Sequence, residues 1–177
     1  MLNFFYRIFL TVNATALIVV VYLIKTSAVI NSLHPLLKEL PHVISYVLYI
    51  TLPIILTAIS LAIVDNLDDD ELLSVKTAEP ANDSFLPSYL GYFFVALSVP
   101  DNTTLMFVYL IIFVMTFLSQ TAYFNPIFLL FGYKFYYITT QNAIRNFIIS
   151  KRTISSPISL DCPHLKRIND FTFISKN

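Results

Sequence analysis

Cysteine and histidine are the first residues to test for chemistry. This chain carries one cysteine, Cys162, two positions before His164 in the run Asp161-Cys162-Pro163-His164. Thiolate, imidazole and carboxylate side by side suggest a metal, but neighbours of this kind do not close a tetrahedral site, and no other Cys or His lies in the tail. The remaining histidines, His34 and His42, flank an apolar run far away in the sequence. DCPH therefore reads as a surface turn, and a single Cys excludes an internal disulfide. No Ser/His/Asp or Cys/His triad can be assembled with sensible topology. Gly91 and Gly132 are the only glycines, which leaves no phosphate-cradling loop and no dinucleotide fingerprint. No cofactor and no metal is expected.

A second candidate is the acidic run Asp65–Lys76 (DNLDDDELLSVK). Its clustered oxygen ligands resemble those of a calcium loop, yet it has no Gly at the turn and no Glu at the twelfth position. Two readings remain. One is a solvated loop, or an acidic start to a short helix at Leu72-Leu73-Ser74-Val75. The other is a docking patch, Asp68, Asp69, Asp70 and Glu71, facing the basic tail of this chain or a neighbour, or a soluble partner.

Chemistry inside a membrane needs an ionisable residue deep in a span. The apolar runs of this chain hold no Asp, Glu, Lys, Arg or His in their interiors. An intramembrane protease, a proton-coupled transporter and a voltage sensor are all disfavoured. The polar residues that do occur there are amides and hydroxyls. Asn13 and Gln120 stand out, because an amide in lipid seeks a partner. Interhelical packing is one role for them, and lining a pore between subunits is the other. Ala58 and Ala62 form a small-xxx-small pair that permits close helix approach.

The elements that must position these residues follow from composition. The 177 residues are 56% hydrophobic and only 12% charged, with a mean hydropathy of +0.71. Soluble domains carry about 25% charged residues, so lipid is the expected solvent. A bilayer core of about 30 Å takes about 20 apolar residues in a helix. Spans are expected at about 4–24, 42–64 (with Pro53 at its centre), 85–100 and 105–124, with an acidic cytoplasmic loop over 65–84. The third is short. The Lys/Arg count favours the inside by nine to two whether three or four spans cross. Asp101 decides between them. At the tip of a re-entrant loop its carboxylate would sit near mid-membrane, at a cost of at least about 2.5 kcal/mol. Four crossings with both termini cytoplasmic follow.

The zero net charge hides a division: Asp65–Pro87 carries a balance of −6, and the chain from Asn125 onward +5. Among the tail's cations, Lys134, Arg145, Lys151 and Arg152 are candidates for partner contact. Scattered basic residues with no recognised fold give no case for direct nucleic-acid binding. Asn125-Pro126 should end the fourth helix, because the residue before Pro is biased away from helical geometry. Gly132 should break the short apolar run after it. Lys134–Thr140 and Asn146–Arg152 read as a β-hairpin, and Ile168–Ser175 as a third strand. The predicted fold class is an all-α membrane protein, a four-transmembrane-helix bundle over 1–124 with a small C-terminal cytoplasmic β appendage over 125–177.

In the box Phe124–Tyr136 (FNPIFLLFGYKFY), the four-run layout and the segment Leu165–Ile174 (LKRINDFTFI), the chain resembles the membrane-subunit family KwaA of the bacterial Kiwa anti-phage defence system. The resemblance implies an inner-membrane tetraspan protein that assembles as a homo-oligomer, a tetramer, and recruits a soluble cytoplasmic partner, KwaB. It also implies that the membrane part senses phage-induced disturbance of the envelope while the partner acts against phage DNA processes. Two functional expectations result. The first is a non-enzymatic membrane sensor and scaffold. The second is a small oligomeric pore or holin-like effector lined by Asn13, Gln120 and their hydroxyl neighbours.

Overall fold

The computed structural model describes residues 2–30, 41–72, 75–84, 86–119, 125–154 and 162–176. Four long helices are α1 (Leu2–Lys25), α2 (His42–Ile63), α3 (Leu86–Ser98) and α4 (Asn102–Ser119), and a one-turn helix α5 spans Ile127–Leu130. The strands are β1 (Asp69–Leu72), β2 (Val75–Pro80), β3 (Lys134–Thr140), β4 (Arg145–Ser150), β5 (Cys162–Asn169) and β6 (Thr172–Ser175).

Helix α1 is the hub, packed against α2, α3 and α4. Its polar residues Thr11, Asn13 and Thr15 are all buried against neighbours. α1 ends where Ser27 takes a positive φ of 52° and the Ala28 N–H returns to the Leu23 carbonyl, a left-handed helix stop. α2 runs unbroken through Pro53. α3 runs parallel to α1: near the start of α3 Tyr89 Oη donates to the Ala14 carbonyl, and just past its end Val99 lies beside Lys25, whose Nζ donates to its carbonyl. At 13 residues α3 covers about 20 Å. The chain then reverses over Pro100 and Asp101. The Asp101 carboxylate accepts from the Thr104 N–H and hydroxyl at 2.9 and 2.8 Å, capping α4. These hydrogen bonds hold its pKa below the usual aspartate range.

The strands form one sheet in the order β1-β5-β6-β4-β3-β2, antiparallel throughout except for the parallel pair β4·β6. β1 and β2 occupy opposite edges, yet only residues 73 and 74 separate them. Three Cα steps reach at most about 11 Å, so the two edges must meet there and the sheet must curl. Register shifts at Asp70/Leu72 and Val75/Thr77 flank this point, the local bends that such a turn requires. With β1 and β2 taken as halves of one bent strand, the order and directions are those of a five-stranded, partly open Greek-key barrel of the OB type. α3, α4 and α5 are then an insertion between its first and second strands.

Both faces of the sheet are covered. Tyr136, Ile138, Ile148, Leu165 and Phe173 fill the concave side together with Leu72, Val75 and Ala78. Phe135, Phe147, Ile149, Ile168 and Ile174 point the other way, onto Tyr6 and Leu10 of α1, Val64, Leu67 and Phe128. Cross-strand partners match this division: Phe135↔Ile149↔Ile174 on one face and Tyr136↔Ile148↔Phe173 on the other. Each such side chain contributes about 1.5–3 kcal/mol on burial. Helix feet and barrel therefore share one core.

The structure corrects the expected fold class. The protein is mixed α/β, not an all-α bundle with a C-terminal β appendage, because residues 69–80 supply both edge strands of the sheet. The acidic run is neither a solvated loop nor a helix start. Asp69–Leu72 is β1 and Val75–Pro80 is β2, with Leu73 and Ser74 outside the described residues. Ile168–Ser175 is not one strand but the close of a β5–β6 hairpin. Asn169 accepts the Phe171 N–H through Oδ1 and turns the chain at Asp170. The fourth helix begins three residues before its expected start, at the Asp101 cap. The expected end at Phe124, like Gln120, lies outside the described residues.

Candidate functional site: a buried polar seam and a charged barrel rim

Two groups of residues are available for function. The first is a polar seam where α1, α2 and the segment after α4 meet. Asn13, at the midpoint of α1, donates through Nδ2 to Thr57 Oγ1 at 2.9 Å. Asn125 donates to the same oxygen at 3.2 Å, while its Oδ1 accepts the Ile127 N–H and starts α5. The Thr57 hydroxyl donates to the Pro53 carbonyl at 2.8 Å. Above and below the seam, Tyr6 Oη donates to the Ser60 carbonyl, and Thr15 Oγ1 meets Tyr109 Oη at 3.1 Å. Every neighbouring helix is thus tied to α1 by at least one polar contact. In an apolar bundle these contacts fix rotation and register.

The sequence singled out Asn13 and Asn125 separately, and the fold brings them together on Thr57. Asn13 is fully buried inside one chain, so it faces no channel between copies. Pro53 is buried beside this seam, and Pro126 directly precedes α5. Gly132 has a φ of +79°, which turns the chain from α5 into β3. Ala58 and Ala62 lie exposed on the outer side of α2, not against α1. That side continues through Leu52, Ile55 and Ile59, and α4 presents Phe107, Leu110, Ile111, Val114 and Leu118 outward in the same way.

The second group is the charged rim of the barrel. Asp69 pairs with Lys166 at 2.8 Å and Asp70 with Arg167 at 3.6 Å, so the acidic edge strand is fastened to basic β5 of the same chain. Asp68 accepts from Asn3 at 2.8 Å, which ties the start of α1 to this edge. Lys176 meets Asp65 at 2.6 Å. Arg145 lies over the Tyr137 ring at 3.9 Å and reaches Glu79 at 3.7 Å. Lys134 donates to Thr153 Oγ1. Most of the sequence's candidate partner residues therefore serve the fold. Glu71, Lys151 and Arg152 are exposed and make no ion pair among the described residues. The side chains of Cys162 and His164 lie outside the described residues, as does Asp161.

An apolar four-helix bundle carrying a Greek-key barrel at one end defines the class of protein. Three of its helices, Leu2–Lys25, His42–Asn66 and Asn102–Ser119, are long and apolar enough to cross a membrane, with Leu86–Ser98 a shorter apolar companion. The family model described as "Anti-phage protein KwaA" matches residues 6–174, and the chain belongs to that family, which places it in anti-phage defence. No curated protein and no solved structure matches it.

Proposed function

We propose that the chain is a non-enzymatic sensor and scaffold of the bacterial inner membrane. Its four helices cross the bilayer, both termini are cytoplasmic, and the barrel recruits a soluble effector. One observation carries this reading: all four helices meet the barrel at the same end of the bundle. The start of α1 bonds to Asp68, α2 runs directly into β1, α3 follows β2, and the segment after α4 leads through α5 into β3. At the opposite end Tyr22 meets Asn102 and Lys25 meets Val99, and no strand lies there among the described residues. Four helices that alternate in direction put all the strands among the described residues on one side. The outward apolar faces of α2 and α4 suit lipid and, at Ala58 and Ala62, close approach of a second copy. Homo-oligomerisation is part of the proposal.

The test is labelling from the two sides. In a Cys162→Ser background, Glu71→Cys and Lys151→Cys should react with a membrane-impermeant maleimide in inverted vesicles and not in intact spheroplasts. Reaction from the outside would overturn the reading. Recruitment is checked by co-purifying the soluble protein of the same defence system with the wild type and with Glu71→Lys/Lys151→Glu/Arg152→Glu. Equal recovery by both would remove these residues from the docking surface.

A further inference from the structure

The barrel has an opening that none of the roles above uses. A cavity of about 460 Å³ lies between the β3–β4 hairpin and the β5–β6 turn. That volume falls within the roughly 300–1,000 Å³ of small-ligand clefts. Its floor holds Asn146 and Phe173, and Asp170, Phe171 and Ile144 stand at its rim. Asn146 pairs with Ile138, so its side chain shares the concave face with Ile138 and Ile148. It is only 4% exposed and makes no side-chain hydrogen bond among the described residues. No fully buried polar atom there lacks a partner, so the amide's polar atoms are the ones that reach into the cavity. A recessed amide with no partner among the described residues and no helix to cap is costly unless something else bonds it. Phe171 is 45% exposed and Ile144 48%. Among the described residues, these two and Leu130 are the large apolar side chains left open outside the four long helices.

An amide that both donates and accepts, set beside aromatic rings, is the pattern that reads the edge of adenine while a ring stacks on its face. No Lys, Arg or His lines the cavity, and the Asp170 carboxylate stands at its mouth, so a phosphate would meet repulsion without a counter-charge. The outer face of β3 and β4, the one an OB barrel offers to single strands, is packed against the helix feet through Phe135, Phe147 and Ile149. A polynucleotide therefore has no track to lie on. We propose that the cavity binds an uncharged adenine-type nucleoside, held by the Asn146 amide and stacked on the exposed ring of Phe171.

The test uses the full chain in detergent micelles and saturation-transfer NMR with adenosine, guanosine, cytidine, uridine and adenosine monophosphate. Adenosine should give the strongest transfer, and the monophosphate should bind about tenfold more weakly. Asn146→Leu keeps the size of the side chain and should weaken adenosine about tenfold or more. Asn146→Asp keeps its shape and should weaken it as well. Both variants are checked by circular dichroism and melting so that loss of fold is not read as loss of binding. Asp170→Asn should narrow the gap between nucleoside and monophosphate. The proposal fails if no nucleoside binds at millimolar concentration, if folded Asn146→Leu binds adenosine as the wild type does, or if the monophosphate binds as tightly as the nucleoside. Saturation of the cavity by a peptide of the soluble partner, with nucleosides excluded, would also overturn it.

Discussion

Thr57→Val is the most informative single change in the bundle. Valine keeps the shape of threonine, so no cavity opens, and only the hydroxyl is lost. That hydroxyl accepts from Asn13 at 2.9 Å and from Asn125 at 3.2 Å, and it donates to the Pro53 carbonyl at 2.8 Å. Two amide donors on different segments would lose their shared acceptor in an apolar interior. Leaving one buried donor unsatisfied costs about 1–3 kcal/mol, whereas interhelical hydrogen bonds in a membrane average about 0.6 kcal/mol because the unfolded helices also find partners. The net expectation is a loss of about 2 kcal/mol. Thr57→Ser, which restores the oxygen, should recover most of it. The assay is unfolding in mixed micelles of rising sodium dodecyl sulfate content, followed by helical circular dichroism. A double-mutant cycle with Asn13→Leu should show a coupling of about 1 kcal/mol. A Thr57→Val variant within about 0.5 kcal/mol of the wild type, or strict additivity with Asn13→Leu, would show that the seam does not hold the helices together.

Four further outcomes follow from single positions. Gly132 has a φ of +79° with open space where a Cβ would stand, so Gly132→Ala should cost about 1–2 kcal/mol through backbone strain alone. Gly91, on α3 with equally open space, should instead gain up to about 1 kcal/mol as alanine, and opposite signs in the same unfolding assay are the check. Asp101 is held ionised by the Thr104 N–H and hydroxyl, so its folded pKa lies below its unfolded one. Its contribution is present above the ordinary aspartate range and is lost as pH falls through the depressed value. Melting curves of the wild type should therefore converge on those of Asp101→Asn at acid pH, and parallel curves would refute the cap. Ala58→Phe places bulk on the exposed side of α2; under the proposed homo-oligomerisation it should leave the monomer's melting unchanged while abolishing cross-linked oligomers. An unaltered cross-linking ladder would move the contact to another face.

The helices were legible because apolar run length reports them directly, and the four runs fall within a few residues of α1 to α4. β3 and β4 were legible for a related reason: aromatic and β-branched residues crowd Lys134–Thr140 and Asn146–Arg152. β1 and β2 were not. Their run is acidic, it sits between two apolar spans, and its alternation is weak because an edge strand has one side open to water. Asp69 and Asp70 also look like solvated charge until Lys166 and Arg167, nearly a hundred positions later, are placed opposite them. Long-range pairing of this kind leaves no local signature. The seam was half legible. Asn13 and Asn125 were each conspicuous, one as an amide in an apolar run and the other as a helix stop, but nothing local says that both reach Thr57. Asn146 carried no signal at all. A lone amide in a strand is ordinary until its neighbours fail to bond it.

The position of the α3–α4 hairpin ties bundle and barrel together. It is inserted between the first and second strands of a barrel, and the barrel's outer face is the surface on which α1 and α2 stand. Where the insertion leaves β2 the chain is held by Ala81, whose N–H donates to the Phe135 carbonyl at 2.8 Å, and by Asn82, whose side chain accepts the Phe135 N–H. On the return path the constraint is Asn125, bonded to Thr57 in the bundle and to the first turn of α5, whose Phe128 is buried with Tyr6, Leu10 and Phe135 in one core. The chain on both sides of the insertion is thus bonded into the core that the helix feet share with the barrel. The opening next to Asn146 lies among the barrel strands, bounded by the hairpin that joins β3 to β4. A bundle attached through a linker alone would have no such shared core.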